Sequence, residues 1–164
     1  MTVKQIWLRL FQFTLFLAAL ILLSTMQTSF WLQVFGYWPA PNMWIPVLVY
    51  FALYNQIIPL FWFIYLCFWV LSTLTLIPDG ILILLIMSIG LFTRFFKRRI
   101  YWSGSTYFML ACSGASLLFN ALHCILSLSF EADPMRSPQI ATWLGQALLT
   151  TIPAFILFPI FQWF

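Results

Sequence analysis

The residues of this chain that could do chemistry are few and lie far apart. Its one histidine is His123, and its three cysteines are Cys67, Cys112 and Cys124. Cys112 and Cys124 would be about 18 Å apart on one helix, so they cannot form a disulfide with each other. One histidine without a Cys-x-x-Cys pair does not predict a metal site, and buried free cysteines usually act as small apolar packing residues. No metal or cofactor is therefore expected.

Enzyme motifs are also missing from the sequence. It has no phosphate-binding glycine loop, no Gly-x-Ser-x-Gly and no His-Glu-x-x-His, and no nucleophile stands beside an evident base. No Asp, Glu, Lys or Arg lies deep within a predicted membrane span, which disfavours a proton-coupled pump. We therefore predict a protein that is not an enzyme.

One polar face is predicted in the fifth apolar run. Ser116, Asn120, His123 and Ser127 are spaced by four, three and four residues, which places them on one side of a helix. Polar groups in a span usually face the interior of a bundle. They either form a pocket or partner contact, or only join helices by hydrogen bonds, and the second interpretation is favoured.

Small residues in the same run could bring helices close together. Small side chains allow two helix backbones to approach in lipid. The candidate surface for partner binding or helix packing comprises Ala111, Gly114, Ala115, Asn120 and His123. The sequence leaves open whether the neighbouring helix belongs to this bundle or to a partner.

The elements that must position these side chains are transmembrane helices. Only 6% of the 164 residues are charged and 64% are hydrophobic, whereas a soluble domain carries about 25% charged residues. The continuous apolar runs cover residues 6–23, 43–54, 57–77, 80–93, 107–127 and 142–161. Since a spanning helix needs roughly 20 apolar residues, we predict an all-α integral membrane protein. About six transmembrane helices would form a single domain, residues 1–164.

The charges predict how these helices cross the membrane. With a cytoplasmic N-terminus and six crossings, six of the seven basic residues fall in the cytoplasm, and Asp79, Glu131 and Asp133 fall outside. The stretch 43–77 is the weak point, since it is long for one helix and short for two. Asn55 and Gln56, followed by Pro59, predict a turn that divides it. Both chain termini are then expected in the cytoplasm.

The candidate cytoplasmic basic patch consists of Arg94, Lys97, Arg98 and Arg99. It is predicted to follow the fourth apolar span, where it anchors the topology and attracts anionic lipid by about 1 kcal/mol per residue. It could also dock a cytoplasmic partner, whereas nucleic-acid binding is not expected.

Several connections have their own signals. Residues 27–42 alternate between aromatic and polar types, which suits a short interfacial helix or an irregular loop. Pro78-Asp79-Gly80 predicts a tight turn between the third and fourth helices. Pro153 and Pro159 predict a kinked or shortened last helix.

These features together resemble the rod shape-determining protein MreD family. The resemblance rests on residues 39–50 (Pro-Ala-Pro-Asn-Met-Trp-Ile-Pro-Val-Leu-Val-Tyr), on 78–80 before a helix ending in the basic patch, and on 130–134 between the last two helices. It implies a non-enzymatic scaffold of the bacterial inner membrane, in the cell-elongation (rod) complex. Such a protein binds an MreC-like partner, works with MreB, RodA and a class B penicillin-binding protein, and helps maintain cell shape and direct peptidoglycan synthesis.

The family is also similar in fold to the substrate-binding subunits of energy-coupling-factor transporters. The alternative prediction is therefore a membrane subunit for vitamin-type uptake, with a pocket near the outer face. Its polar groups would be Gln33, Asn42, Asn120 and His123, and Trp38 or Trp44 would stack on the ligand.

Overall fold

The structure is a computed structural model that describes residues 3–36, 38–54, 57–99, 104–131 and 139–163. For residues 3–6, 8–10, 57–58 and 98–99 the description covers the backbone alone. The helices are α1 Val3–Thr25, α2 Trp31–Phe35, α3 Ile45–Tyr54, α4 Ile57–Ser72, α5 Asp79–Arg99, α6 Ser105–Phe130 and α7 Ile140–Gln162. A π-helical segment, Met26–Phe30, joins α1 to α2.

Within the described residues, four helical stretches are long and apolar enough to cross a membrane, which supports the prediction of an all-α membrane protein. They are Phe11–Phe35, Asp79–Lys97, Ser105–Phe130 and Ile140–Gln162. The other two apolar helices are shorter, since α3 has 10 residues and α4 has 16. These correspond to about 15 and 24 Å, less than the roughly 30 Å hydrocarbon core. The predicted count of six crossings stays a prediction.

The short helix α3 forms the centre of the bundle. Its residues 45–53 are all buried, and it contacts α1, α4, α5, α6 and α7. A helix that is apolar on every side needs apolar surroundings on every side, and the other helices supply them. Phe51 stacks on Phe63 of α4 with ring centroids 4.2 Å apart, and Tyr50 stacks on Phe16 of α1 at 5.6 Å. The other helices are thus positioned by their contacts with α3.

The helices around α3 run in alternating directions. Ser116 of α6 contacts Asn42 just before α3, and Phe108 contacts Tyr50 near the end of α3, so α6 is antiparallel to α3. On α7 the order of contacts with Asn42 and Tyr50 is reversed, so α7 runs parallel to α3. A turn at residues 73–78 reverses the chain between α4 and α5.

This arrangement gives the molecule a basic end and an acidic end. The basic end contains the starts of α1 and α6 and the last turns of α3, α5 and α7. The basic residues of the described ranges lie in these segments: Lys4, Arg9, Arg94, Lys97, Arg98 and Arg99. Asp79 begins α5 and Glu131 follows α6 at the opposite, acidic end. Asp133 and Arg136 lie outside the described residues, and the cytoplasmic orientation of the basic end stays a prediction.

The basic patch lies in the C-terminal part of α5, directly after the fourth predicted apolar span. α5 continues to Arg99, six residues beyond the predicted end at 93, because Lys and Arg are good helix formers and no Gly or Pro interrupts them. At its other end, Asp79 and Gly80 belong to α5, and the N–H groups of Ile81 and Leu82 donate to the Pro78 carbonyl. Gly80 accordingly has no positive φ, so the predicted tight turn is replaced by a helix start.

The segment 27–42 begins as a continuation of the first helix and ends in irregular backbone, so its helical part is not a separate short helix. It is helical through Phe35 and ends at Gly36, whose φ of 57° suits a residue without a Cβ. Tyr37 and the predicted turn at Asn55 and Gln56 lie outside the described residues. Pro153 and Pro159 stand inside α7 and do not end it. Membrane helices tolerate such prolines where neighbouring groups satisfy the freed carbonyls.

Candidate functional site

A set of polar side chains meets inside the bundle where α3 begins, and we call it the polar cluster. Its members are Gln27, Asn42, Ser116, Asn120, Gln146 and Thr150. The Asn42 side-chain amide donates to Ser116 Oγ at 2.9 Å, and its backbone N–H donates to Thr150 Oγ1 at 3.0 Å. The Thr150 hydroxyl in turn donates to the Gln146 carbonyl. The start of α3 is thereby tied to α6 and α7.

Two glutamines complete the polar cluster. Gln27 Oε1 accepts a hydrogen bond from the Met43 backbone N–H at 2.9 Å, and Gln27 Nε2 lies 3.4 Å from Asn42 Oδ1. Gln146 Oε1 accepts from the Asn120 amide at 2.9 Å. Gln27 lies in the π-helical segment, and π-helical turns are often found at functional sites of proteins. Because these amides bind one another, the cluster serves as a joint between helices.

The other end of α3 is also tied to its neighbours. The Tyr50 hydroxyl donates to the Phe161 carbonyl of α7 at 2.8 Å. The Lys97 ammonium of α5 donates to the Leu53 carbonyl and lies 6.0 Å from the centroid of the Tyr54 ring. A cation at a helix C-terminus stabilises it by about 0.3–1 kcal/mol. Lys97 of the basic patch therefore has a structural role within the bundle.

An apolar groove of about 560 Å³ runs between α5 and α6, and we call it the α5–α6 groove. Phe92, Thr93 and Phe96 line it from α5, and a face of α6 lines it from residues 107 to 121. A Cβ added to Gly114 would meet no atom within 4 Å. Gly114 therefore borders open space, whereas Ala115 is buried and Ala111 packs against the core.

The structure divides the five residues predicted for partner binding or helix packing between different surfaces. Ala111, Gly114 and Ala115 line the α5–α6 groove, whereas Asn120 belongs to the polar cluster. His123 is half-buried, and its ring stacks on the phenylalanine one turn earlier. At about 100° per residue Asn120 is turned roughly 180° away from Ala111, so the two cannot share one face. The groove therefore retains three of the five.

The residues predicted for a vitamin-type pocket are also distributed. Gln33 and Trp38 are exposed, while Trp44 is buried against Phe119. The side-chain amides of Asn42 and Asn120 are bonded to other members of the polar cluster. Asn42, Trp44 and Asn120 thus hold helices together, whereas Gln33 and Trp38 lie on the surface.

The remaining candidates for chemistry are isolated from one another. Cys67, Cys112 and Cys124 are buried free thiols. Among the described residues no group of three or more His, Cys, Asp or Glu side chains is placed to hold a metal ion. Glu131 accepts a hydrogen bond from Ser127 at 2.5 Å at the end of α6. The two features that offer a function are thus the polar cluster and the α5–α6 groove.

The fold and these features define an all-helical membrane protein with a buried polar joint and an exposed apolar groove. No family model, no curated protein and no solved structure matches this chain. The resemblance to the MreD family therefore stays a prediction, and the function is argued from the groove and the charges.

Proposed function

We propose that this protein is a non-enzymatic scaffold of the bacterial inner membrane that binds a transmembrane helix of a partner in its α5–α6 groove. The open space over Gly114 carries this proposal. Ala111 and Ala115 flank that space, and small residues let a second helix backbone approach closely. In lipid such close contact contributes the van der Waals energy that drives helix association.

The resemblance to the MreD family names the process in which this scaffold acts. The partner is then an MreC-like protein of the cell-elongation complex, acting with MreB, RodA and a class B penicillin-binding protein to maintain cell shape and direct peptidoglycan synthesis. The basic end faces the cytoplasm, because lysine and arginine concentrate on that side of membrane proteins. Both chain termini then lie in the cytoplasm.

The test is co-purification from the native membrane in mild detergent, followed by mass spectrometry. We compare the wild-type chain with Gly114→Leu, which fills the groove, and with Ala141→Leu, an exposed position in the first turn of α7 outside the groove. An MreC-like protein should accompany the wild type and Ala141→Leu but not Gly114→Leu. Equal recovery with all three chains would exclude the groove as the binding site.

One observation favours the uptake subunit as a second candidate. α3 is a half-length helix that begins inside the bundle beside the polar cluster, and broken helices of this kind form substrate sites in some transporters. The same purification tests it, since a stoichiometric small molecule together with an ATPase module would support uptake and count against the scaffold.

A further inference from the structure

The α5–α6 groove differs along its length. Its α6 wall runs from Tyr107 to Ala121, about 21 Å of helix, whereas its α5 wall comprises Phe92, Thr93 and Phe96. The three α5 residues lie in the half of that helix nearer the basic end, so two helices line the groove there. Toward the acidic end its lining residues belong to α6 alone. An occupant is therefore held along α6 and wedged between two helices near the basic end.

Basic residues follow the α5 wall of the groove along the same helix. Phe96 is the last groove residue of α5, and Lys97, Arg98 and Arg99 follow it directly in the same helix. Asp79 lies at the opposite end of α5. Basic residues near a membrane surface attract anionic groups. Whatever leaves the groove at the basic end therefore meets a positive potential.

Gly114 is the position along α6 at which a large side chain of a bound helix can fit. It lies seven residues from Tyr107, about 10 Å along α6 from the basic end of the groove. Leu110 between them is 62% exposed, so the surface there is apolar and accessible. The space over Gly114 can accept an aromatic or branched side chain from a helix lying along α6.

We infer that the helix bound in the groove carries Phe or Leu opposite Gly114 and one or more Asp or Glu about seven to ten residues nearer the basic end. The apolar side chain fills the groove, and the carboxylates lie at the level of the last turn of α5, where Arg99 falls by helical position on the same side as Phe92 and Phe96. This inference rests on the proposed function, because it specifies the chemistry of the partner helix. It also predicts a pattern that can be sought in any co-purified single-span protein.

The experiment uses two synthetic leucine–alanine helices long enough to span a bilayer. Both have a central Phe, and one carries a Glu pair about eight residues toward one end where the other carries a Gln pair. Binding to the full chain in phosphatidylcholine vesicles is measured by energy transfer. The Glu helix should bind about tenfold more tightly than the Gln helix, and Arg99→Glu should abolish or reverse that preference. Arg98→Glu, on the opposite side of α5 by helical position, should change the preference less. Lys97 is left intact because it bonds to Leu53.

Gly114→Leu is the second variant, and it should weaken both helices. Equal affinity of the two helices, with both weakened by Gly114→Leu, would keep the groove as a helix site and overturn the acidic partner. If the affinity of the Glu helix itself is unaffected by Gly114→Leu, the helix binds elsewhere, and this result would also overturn the proposal. Displacement of the Glu helix by phosphatidylglycerol, lost in Gly114→Leu, would assign the groove to an anionic lipid instead. The proposed scaffold function is tested by a different experiment: it would be contradicted if the partner still co-purified with the Gly114→Leu chain.

Discussion

Asn42 connects more parts of this molecule than any neighbouring side chain of the polar cluster. Its side chain binds Ser116 of α6 and lies beside Gln27, and its backbone binds Thr150 of α7. It is 4% exposed, so water cannot replace these partners. A buried polar group without its partner costs free energy, and the Asn42 amide therefore contributes to the stability of the joint.

Asn42→Ala should lower the free energy of unfolding by about 1–2 kcal/mol, since interhelical hydrogen bonds in membranes contribute up to roughly that much. The substitution removes the amide from Ser116 and Gln27 together. The measurement is thermal or denaturant unfolding in detergent. Gln33→Ala, an exposed amide, is the control and should change stability little. Equal effects of the two substitutions would argue against a structural role for the polar cluster.

Lys97 provides a second test at a single side chain. Lys97→Met should destabilise the fold by about 1 kcal/mol, because the Leu53 carbonyl at the end of α3 loses a charged donor. Lys97→Arg keeps the charge and should retain part of that stability. Unfolding curves of the three chains decide the matter, and a Met variant as stable as the wild type would contradict the capping role.

Two glycines on adjacent helices show how surroundings determine the role of a residue type. A Cβ on Gly90 of α5 would lie 2.8 Å from Ile64 Cδ1 of α4, whereas a Cβ on Gly114 of α6 would meet no atom within 4 Å. Gly90 therefore permits the close approach of α4 and α5. Gly114 leaves a surface open for another molecule.

Substitution by leucine should affect stability at one of these glycines and partner binding at the other. Gly90→Leu should lower the free energy of unfolding by about 1–3 kcal/mol through overpacking against α4. Gly90→Ala should be tolerated, since Ile64 Cδ1 is the mobile end of a side chain. Gly114→Leu should leave stability unchanged while blocking the groove. Thermal melts check all three, and destabilisation by Gly114→Leu in the isolated chain would mean that the groove is closed.

The division of charge between two ends is a property of the complete bundle, and it predicts a dependence of membrane orientation on the basic patch. Replacing Arg94, Lys97, Arg98 and Arg99 together with Glu should disturb insertion, because lysine and arginine determine orientation. Reporter fusions at the chain termini measure the result.

The matched control for this experiment neutralises the acids with Asp79→Asn and Glu131→Gln. These changes should leave the orientation intact, since acidic residues have little topological weight. Normal orientation after reversal of all four basic residues would show that the patch has no role in insertion.

The amino-acid composition and the spacing of charges were enough to predict a helical membrane protein with most of its basic residues at one end. These predictions hold because the insertion of each segment depends on its own hydrophobic length, and its orientation depends on the charges beside it. The spacing of Ala111, Gly114 and Ala115 likewise predicted one small-residue surface on α6. Helical geometry also predicts that Asn120 points away from that surface, so its inclusion in the same candidate surface was wrong.

The contacts between helices were beyond the reach of these patterns. α3 is apolar on every side, so no stripe in its sequence shows which helices surround it. Gln27 is linked to Asn42 across 15 residues, and Asn42 to Thr150 across 108. Such partners are chosen by the packing of the complete bundle, which also leaves Gly114 exposed and Gly90 covered. Membrane character thus follows from each segment alone, whereas the polar cluster and the groove exist only where several helices meet.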